Sequence, residues 1–412
     1  MATLITNIKQ LVNVREGSKL LRGNELSILP SIENAYLVVD NGMIAEFGEM
    51  NSIGNRQSAI GNHVDATGQF ILPCWCDSHT HLVFAASREE EFVDKIKGMS
   101  YEEIAAKGGG ILNSAKKLNA MSEDELFDVS WRRLNDVIKL GTGAIEIKSG
   151  YGLSVEGELK MLRVIKRLKE VSPIPIKATF LGAHTYPLEY RENHKGYIDL
   201  IINEMLPVIE KEKLADYIDV FCENGFFSAE ETEAICKAGM RHGLKAKIHA
   251  NQLNFSGGVE TGIKLNAVSV DHLETVNGDI ITKLANSQTI GTLLPTAAFF
   301  LRMPFQPARQ IIDAGCAIAL ASDYNPGSSP SGNMNLVVAM SCIGMKMLPE
   351  EAVNAATLNG AFAMELQNET GSITVGKKAN LIFTIPISSL AYLPYAFGAN
   401  LIDKIMINGE II

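Results

Sequence analysis

The amino-acid sequence predicts an α/β fold: a (β/α)8 barrel of the TIM type, joined to a small β-domain that is built from both chain ends. Three observations predict it. Short apolar runs alternate with amphipathic segments between about residues 70 and 325, polar residues follow nearly every run, and strand–turn–strand patterns occupy both ends of the chain. The length of 412 residues fits one large barrel with a smaller addition.

The apolar runs have the length of buried strands. Strands that alternate with helices and are apolar throughout are typical of a parallel sheet covered by helices. Eight such units within roughly 250 residues are typical of a closed barrel. The eight runs are Ile71–Cys76, Ala144–Ile147, Ala178–Leu181, Ile218–Phe221, Ala246–Ile248, Ala267–Val270, Thr289–Leu294 and Ala317–Ala321.

The amphipathic segments between the runs predict the helices. Clear examples are Val155–Glu170, Tyr197–Glu212 and Ala229–His242. After the last run, Leu336–Met347 and Glu350–Glu365 have the pattern of helices that close the barrel.

The two ends of the chain contain short strands and turns. Tyr36–Gly48 has two strand-like halves around Asn41-Gly42, a pair typical of a tight hairpin turn. Gly371–Phe383 and Met406–Ile412 show the same character. We therefore expect residues 1–68 and 369–412 to form the small β-domain and residues 69–368 to form the barrel.

The charge and composition of the chain limit the kinds of molecule that it can bind. The formal net charge of -10 argues against nucleic acid and against anionic membranes. The sequence has no apolar run of membrane-spanning length and no basic segment followed by an apolar leader. The six cysteines show no disulfide framework, and Cys74 and Cys76 are interpreted as core residues because they lie in an apolar run. These features favour a cytoplasmic protein.

Polar side chains follow almost every apolar run. Barrel enzymes carry their chemistry at the C-terminal ends of the strands, so these side chains would meet at one mouth. The residues that end the runs are His79 and His81, Lys148 and Tyr151, His184, Glu223, His249 and Gln252, Asp271 and His272, Pro295, and Asp323, and all but Pro295 are polar.

Four of these residues are candidate metal ligands. His79 and His81 are two positions apart at a strand end, so both imidazoles point the same way. His249 would supply the third nitrogen. Asp323 could bind the ion and accept a proton from its bound water, whose pKa a metal lowers toward ~7. The structural alternatives are a histidine satisfied in the core and an aspartate that caps a turn.

Seven segments resemble the amidohydrolase superfamily, and within it the imidazolonepropionase family. They are Asp77–Phe92, Gly108–Leu112, Ile147–Leu153, Phe180–His184, Asp219–Glu223, Val270–Glu274 and Ser322–Pro330. The resemblance implies a metal-dependent amidohydrolase barrel with one divalent transition metal, zinc or iron. It implies that water opens the cyclic amide of 4-imidazolone-5-propanoate to give N-formimidoyl-L-glutamate, in histidine degradation. Cys74 departs from the small residue expected there.

The resemblance also implies roles for further residues. Arg88 would bind the substrate carboxylate through its planar fork, and a homodimer is expected. Independently of the resemblance, His272 or Asp323 could protonate the leaving nitrogen, with a structural role as the alternative for His272. The glycine-rich turn Gly108–Gly110 is interpreted as a flexible lid over the mouth. Lys148 is expected to be an ordinary surface or ion-paired lysine, not a metal bridge. The remaining substrate or product contacts would be Tyr151, His184, Gln252, Asn325, Gly327 and Ser328, with Tyr101 as a weaker candidate.

Two alternatives remain beside this hypothesis. The first is a related amidohydrolase that acts on another heterocycle, either a cyclic-amide hydrolase or a deaminase. Such deaminases typically have His-x-x-Glu after the fifth strand, whereas this chain has His249-Ala-Asn-Gln252. Glutamine does not titrate and cannot act as a general acid. The second alternative is a barrel that has lost its metal and serves as a binding protein, but none of the four ligands is missing.

Overall fold

The computed structural model describes residues 2–99, 103 and 109–412. Its strands form two sheets. The first part of the chain supplies β1 (Thr3–Val12), β2 (Ser31–Asp40), β3 (Met43–Glu49), β4 (Asn62–Asp65) and β5 (Phe70–Pro73). The middle supplies β6 (Trp75–Thr80), β7 (Thr142–Lys148), β8 (Ile176–Ala183), β9 (Tyr217–Cys222), β10 (Lys245–Ala250), β11 (Ser269–His272), β12 (Ile290–Leu293) and β13 (Ile318–Leu320). The last part supplies β14 (Leu381–Thr384), β15 (Ile402–Ile407) and β16 (Glu410–Ile411).

The strands β6 to β13 form the predicted parallel sheet of eight strands, in the order of the sequence. A parallel bridge between Thr80 and Tyr324 links the first strand to the segment after the last. The backbone N–H of His81 also donates to the carbonyl oxygen of Tyr324 at 2.9 Å. The sheet therefore closes into a barrel, and the closure joins two segments that carry candidate ligands.

The other sheet is mixed and is built from both chain ends, as predicted. Its order is β16-β15-β14-β5-β1-β2-β3, with β4 beside β1. The turn between β2 and β3 places Asn41 and Gly42 at φ 49° and 79°, the left-handed conformation that a two-residue hairpin turn requires.

The first predicted apolar run belongs to both sheets. Ile71–Cys76 was expected to be one barrel strand, and this is wrong: β5 pairs with β1 and β14, and only β6 pairs with β7. The chain crosses from one sheet to the other at Cys74, whose side chain is buried against Gly143. We therefore propose that the division between the small domain and the barrel lies at Cys74 instead of residue 69.

Most helices lie between or after the barrel strands in the chain, and the first lies between β3 and β4 of the mixed sheet. We number them α1 (Arg56–Ala59), α2 (Glu89–Ile96), α3 (Gly110–Ala120), α4 (Glu123–Lys139), α5 (Val155–Val171), α6 (His194–Leu200), α7 (Leu206–Glu212), α8 (Ala229–Arg241), α9 (Gly258–Lys264), α10 (Gly278–Ala285), α11 (Pro295–Leu301), α12 (Ala308–Asp313), α13 (Met334–Met345), α14 (Pro349–Ala356), α15 (Leu358–Ala363) and α16 (Tyr392–Tyr395). Within the described residues, none of them has the length and apolar character that a bilayer crossing requires.

Local sequence explains where several helices begin and break. Ser122 and Ser228 start α4 and α8 with capping boxes. The predicted helix Tyr197–Glu212 is instead α6 and α7 joined by a π-helical turn, Ile201–Met205. Pro207 follows that turn and has no N–H to donate, so the regular ladder is interrupted there. The predicted helix Glu350–Glu365 is likewise divided, into α14 and α15.

Candidate metal centre

Three histidines converge at the C-terminal mouth of the barrel. His79 and His81 lie at the end of β6, and His249 lies on β10. All three are buried, and one ring nitrogen of each lies within 4.8 Å of the others. The Nε2 atoms of His81 and His249 are 3.4 Å apart. Three nitrogens that lie this close together can hold one metal ion. Two strands of the barrel supply them.

Asp323 lies beside the same nitrogens. Its Oδ1 is 3.5 Å from Nε2 of His79 and 3.6 Å from Nε2 of His81. The backbone of Asp323 has φ 53°, a left-handed conformation uncommon for aspartate, and its N–H donates to the carbonyl oxygen of His79 at 3.0 Å. Burial raises the pKa of the Asp323 carboxyl.

The neighbour of Asp323 is held by the aspartate that opens the His-x-His motif. Both carboxylate oxygens of Asp77 accept hydrogen bonds from Ser322, from its N–H at 2.9 Å and from its hydroxyl at 2.5 Å. Asp77 therefore fixes the segment after β13 against β6, and this fixes the position of Asp323.

Two further carboxylates orient the histidine rings. Asp271 Oδ2 is 2.7 Å from Nδ1 of His79, and Asp219 Oδ2 is 2.9 Å from Nδ1 of His249. At His79 this contact is a hydrogen bond, which holds the proton on Nδ1 and leaves Nε2 with its lone pair free. At His249 the carboxylate lies beside Nδ1 without the geometry of a hydrogen bond.

The residues fit a metal ion. The buried Nε2 of His79 has no hydrogen-bond partner among the described residues. It is therefore available to bind a metal ion. Burial, together with Lys148 at His79 and with His184 at His81, lowers the pKa of both imidazoles well below the ordinary value. Neutral imidazoles with aligned nitrogens are the form that binds a divalent metal.

Most predicted site residues line one small cavity above the histidines, of about 60 Å³. Phe221, which the sequence did not single out as a site residue, supplies an apolar wall. The lining residues are His81, Tyr151, His184, Phe221, His249, Gln252, His272, Asp323, Asn325 and Ser328.

The position of His184 depends on a glycine. His184 Nδ1 lies 3.0 Å from the carbonyl oxygen of Gly150. Gly150 has φ 115°, and a Cβ there would lie 2.8 Å from the His184 ring. Burial and His249 lower the pKa of His184 to about 3, so its imidazole is neutral at physiological pH.

The neighbouring loop that carries Tyr151 is held by a buried acid. Glu158 accepts hydrogen bonds from the N–H groups of Gly150 (3.0 Å), Gly152 (2.7 Å) and Leu153 (3.1 Å). Burial raises the pKa of the Tyr151 phenol, which therefore faces the cavity in its neutral form.

The loop after β13 is organised by Asn325. Its Oδ1 accepts from the N–H groups of Gly327 and Ser328, both at 2.8 Å, and its Nδ2 donates to the Ser328 hydroxyl at 2.8 Å. The Ser328 hydroxyl also lies 3.3 Å from Oδ2 of Asp323. This loop therefore connects the predicted product contacts to a candidate metal ligand.

Arg88 does not line the cavity above the histidines. It lies just before α2, and its Nε and Nη2 donate to Oε2 of Glu91 at 2.9 and 2.5 Å. Its Nη1 lies against Gly327, where a Cβ would approach it to 2.5 Å. Arg88 and Gly327 line a neighbouring cavity with Lys95, so the predicted anion site is adjacent to the metal centre.

Two sequence predictions fall wholly or partly on residues that are not described. Tyr101 lies outside the described residues, as does Gly108 of the predicted lid. Gly109 and Gly110 stand at the start of α3, where the N–H of Gly110 donates to Oε1 of Glu91 at 2.9 Å.

His272 also faces the cavity and has an acidic partner. Its Nδ1 is 3.3 Å from Oε1 of Glu274, which accepts a further hydrogen bond from Gln306 at 2.9 Å. Burial alone would lower the pKa of His272, but the carboxylates of Glu274, Asp323 and Asp271 together outweigh burial and raise it. The backbone of His272 has φ 90°, a conformation that a histidine adopts only when the surroundings impose it.

Sequence reasoning missed a buried charge network below the histidines. Lys148 was expected to be a surface or ion-paired lysine; it is ion-paired and fully buried, so the surface alternative is wrong. Three further members of this network were not singled out for the site: Glu146 and Asp219, which pair with Lys148, and Lys247, which pairs with Glu146. Their signal was present in the sequence, because each is a charged residue inside an apolar strand, where only a paired charge is stable.

Comparisons with known proteins agree with this geometry. A model of the amidohydrolase family matches residues 70–412. An imidazolonepropionase from Flavobacterium johnsoniae is 58% identical over 413 residues, which cover 100% of both chains. One from Parabacteroides distasonis is 42% identical and covers 99% of this chain and 98% of its own.

Solved structures support the fold alone, because their identity is low. Guanine deaminase of E. coli superposes with a TM-score of 0.74 at 13% identity, over 100% of this chain and 99% of its own. An adenosine deaminase from Xanthomonas campestris with bound zinc gives 0.68 at 15%, over 99% and 92%. The full-length identity to the relatives above, together with the family match, establishes that the chain belongs to the imidazolonepropionase family of the amidohydrolase superfamily.

Proposed function

We propose that this chain opens the cyclic amide of 4-imidazolone-5-propanoate with water and releases N-formimidoyl-L-glutamate, a step of L-histidine degradation. The observation that carries the proposal is the buried triad of His79, His81 and His249 below a polar cavity. It occurs in a chain that is 58% identical over its full length to a protein named imidazolonepropionase.

One divalent transition metal, zinc or iron, would be held by His79, His81, His249 and Asp323. When bound, the ion would act as a Lewis acid and lower the pKa of a water at the site. The carboxylates beside Nδ1 of His79 and of His249 support this assignment, because they leave the Nε2 atoms of both rings for the ion. Support for zinc comes from the fold relative with bound zinc.

The reaction requires one proton to leave water and one to reach the ring nitrogen. The water oxygen adds to the amide carbonyl carbon, the carbon–nitrogen bond breaks, and the nitrogen leaves with a proton. Asp323 is assigned to accept the proton from water, because its carboxylate lies beside the ligand nitrogens. Asp323 and His272 are the two candidates for the proton donor to nitrogen, since both line the cavity.

The substrate is a small anion, and we assign its propionate to Arg88. The cavity above the histidines is polar on the Tyr151, His184 and Gln252 side, where the ring would bind. Arg88 lies next to Gly327, at the edge of the same loop that carries Ser328. The carboxylate would therefore bind beyond the ring, and Tyr101, Asn325, Gly327 and Ser328 remain proposed contacts.

A deaminase of the same superfamily is the second candidate, because deaminases share the fold. The residue at the position of the deaminase glutamate is Gln252, and the one carboxylic acid among the described residues that line the cavity is Asp323, which is already assigned as a metal ligand. Glutamine orients a substrate but does not transfer a proton, so this observation favours ring opening.

The experiment is to incubate the metal-loaded protein with freshly prepared 4-imidazolone-5-propanoate and follow its ultraviolet absorbance. The expected result is loss of absorbance with formation of a product that has gained one water. Guanine and adenosine serve as comparison substrates. Release of ammonia from either of them, without turnover of the imidazolone, would replace ring opening by deamination.

We also propose that the protein is a cytoplasmic homodimer. Two-fold assemblies are the commonest, and all six cysteines are free in the structure. Sedimentation analysis of the purified protein tests the dimer, which predicts twice the mass of the 44.8 kDa chain.

A further inference from the structure

Lys148 lies directly below the metal centre, at the end of β7. Its Nζ is 2.7 Å from Oε1 of Glu146, 2.8 Å from Oδ2 of Asp219 and 3.5 Å from Oδ2 of Asp271. All four side chains are fully buried. Burial alone would lower the pKa of Lys148, but Asp219, Glu146 and Asp271 together outweigh burial and raise it, so the side chain is an ammonium ion.

The two aspartates that contact Lys148 are the same two that orient the metal histidines. Asp219 Oδ2 contacts both Lys148 Nζ and Nδ1 of His249. Asp271 Oδ2 contacts both Lys148 Nζ and Nδ1 of His79. One ammonium therefore connects two carboxylates, and each carboxylate connects to a different ligand from a different strand.

Without the Lys148 ammonium, no cation of the described residues would lie between the carboxylates of Asp219 and Asp271. Asp219 and Asp271 are close enough to repel each other, since their Oδ2 atoms lie 2.8 and 3.5 Å from the same Lys148 Nζ. Two buried carboxylates with no cation between them would move apart or rotate toward other donors. Either movement would turn the rings of His79 and His249 and misalign their Nε2 atoms.

We propose that Lys148 is a positioning residue for the metal site: its ammonium holds Asp219 and Asp271 at the separation that aims His249 and His79 at one ion. The proposal rests on the proposed metal site but not on the identity of the substrate. It gives a function to a charge that the reaction itself does not use.

The direction of the change in metal affinity distinguishes a positioning role of Lys148 from a purely electrostatic one. A lysine near a divalent cation repels it, so removing the charge alone would tighten metal binding. If Lys148 positions the ligands, removing it weakens binding instead. Loss of a residue behind a metal ligand typically costs about 10- to 100-fold in metal affinity.

Lys247 provides a matched control. It is also fully buried, and it also pairs with Glu146. Within the described part of the chain, its Nζ donates to Glu146 and to the carbonyl oxygen of Ser78 (3.4 Å) and lies 5.0 Å from the centroid of the Tyr217 ring. It has no direct contact with Asp219 or Asp271 and acts on Asp271 only through the longer-range attraction that lowers the pKa of that carboxyl. Lys247→Met therefore removes a buried charge at equal depth without removing the ammonium between the two aspartates.

The experiment measures Co²⁺ binding to metal-free wild type, Lys148→Met and Lys247→Met, by competition with a chelator and by the visible absorption bands of the bound ion. We expect Lys148→Met to bind Co²⁺ about 10- to 100-fold more weakly than wild type and to shift the bands, because ligand geometry sets them. Lys247→Met is expected to retain the wild-type bands.

Unchanged or tighter binding by Lys148→Met with wild-type bands would overturn the proposal. If Lys148→Met does not fold, the double variant Lys148→Met/Glu146→Gln replaces it, with Glu146→Gln as its control, because it removes one charge of each sign and leaves both histidine-orienting aspartates in place. Shifted bands in the double variant support the proposal, and wild-type bands overturn it. Failure of wild type itself to bind Co²⁺ would instead refute the metal site on which the proposed function depends.

Discussion

The floor and the rim of the active site are built in different ways. We define the floor as His79, His81, His249, Asp219, Asp271 and Lys148, and the rim as Arg88, Asn325, Gly327 and Ser328. Floor residues stand on or at the ends of barrel strands and are at most 3% exposed. Rim residues stand in loops, and the side chain of Arg88 is 14% exposed.

The difference decides how each region responds to change. A floor residue that loses its partner leaves a buried charge or polar atom that water does not reach, and this is costly. A rim residue that loses its partner can be compensated in part by solvent. We therefore expect all-or-none effects from substitutions in the floor and graded effects from those in the rim.

His249→Ala is expected to have the largest effect. It removes one ligand and also leaves Asp219 without its imidazole. Because a metal contributes several kcal/mol of transition-state stabilisation, kcat/KM should fall by a thousandfold or more, on the order of the whole metal contribution. Elemental analysis should show little metal in the variant. The control is His63→Ala, because His63 is exposed. A His249→Ala variant that kept its full metal content and rate would show that His249 is not a metal ligand.

Arg88 comes next, because its proposed partner is a charged group at the rim. Truncating one partner of a desolvated charge pair costs about 2–5 kcal/mol, or about 30-fold and upward in kcat/KM. Arg88→Lys keeps the charge but loses the second parallel hydrogen bond, so the order should be Arg, then Lys, then Met.

A substrate analogue with a neutral amide in place of the carboxylate tests the pairing with Arg88 directly. Wild type should discriminate strongly against the amide, and Arg88→Met should barely discriminate. Lys95 lines the same small cavity, so Lys95→Met is the matched control and should discriminate as wild type does. Equal discrimination by wild type and Arg88→Met would show that Arg88 does not contact the carboxylate.

Gln252→Ala should have a smaller effect. The loss of neutral hydrogen bonds costs about 1–3 kcal/mol, or about 5- to 150-fold in kcat/KM. The pH–rate profile should keep its shape, since glutamine does not titrate. A limb that vanished, or that moved by about one pH unit, would mean that proton transfer depends on this position.

Ser328→Ala should have the smallest effect of the series. Its hydroxyl accepts from Asn325 and lies 3.3 Å from Asp323, and each partner has further contacts. We expect about a two- to tenfold loss in kcat/KM, the typical value for one hydrogen bond, and no change in metal content. Loss of metal in Ser328→Ala would mean that the rim loop is part of the floor.

The sequence predicted the barrel and the position of most site residues because both follow from local patterns. An apolar run followed by a polar residue places His79, His249 or Asp323 at a strand end regardless of distant contacts. The same kind of local pattern gave a wrong prediction at Ile71–Cys76, because one continuous apolar run contributes strands to two sheets. Only the partners of each half, which come from elsewhere in the chain, distinguish β5 from β6.

Charged residues inside apolar runs indicate a buried network, but the pairings within it could not be predicted, for a related reason. Lys148 is followed by Ser149 and Gly150, which indicate a turn and therefore exposure. Its burial depends on Asp219 and Asp271, which are brought to it by neighbouring strands. Similarly, the Arg88–Glu91 pair is local, but the approach of Arg88 to Gly327 depends on barrel closure. Pairings of distant charges are a property of the fold, not of any single segment.

The most direct test of the account is a metal titration of the metal-free protein, with ring opening measured at each addition of Zn²⁺ or Fe²⁺. A single floor site predicts that activity rises linearly and levels off at about one equivalent per chain, while His249→Ala stays inactive throughout. Full activity in the metal-free protein, or a plateau at about two equivalents, would contradict it.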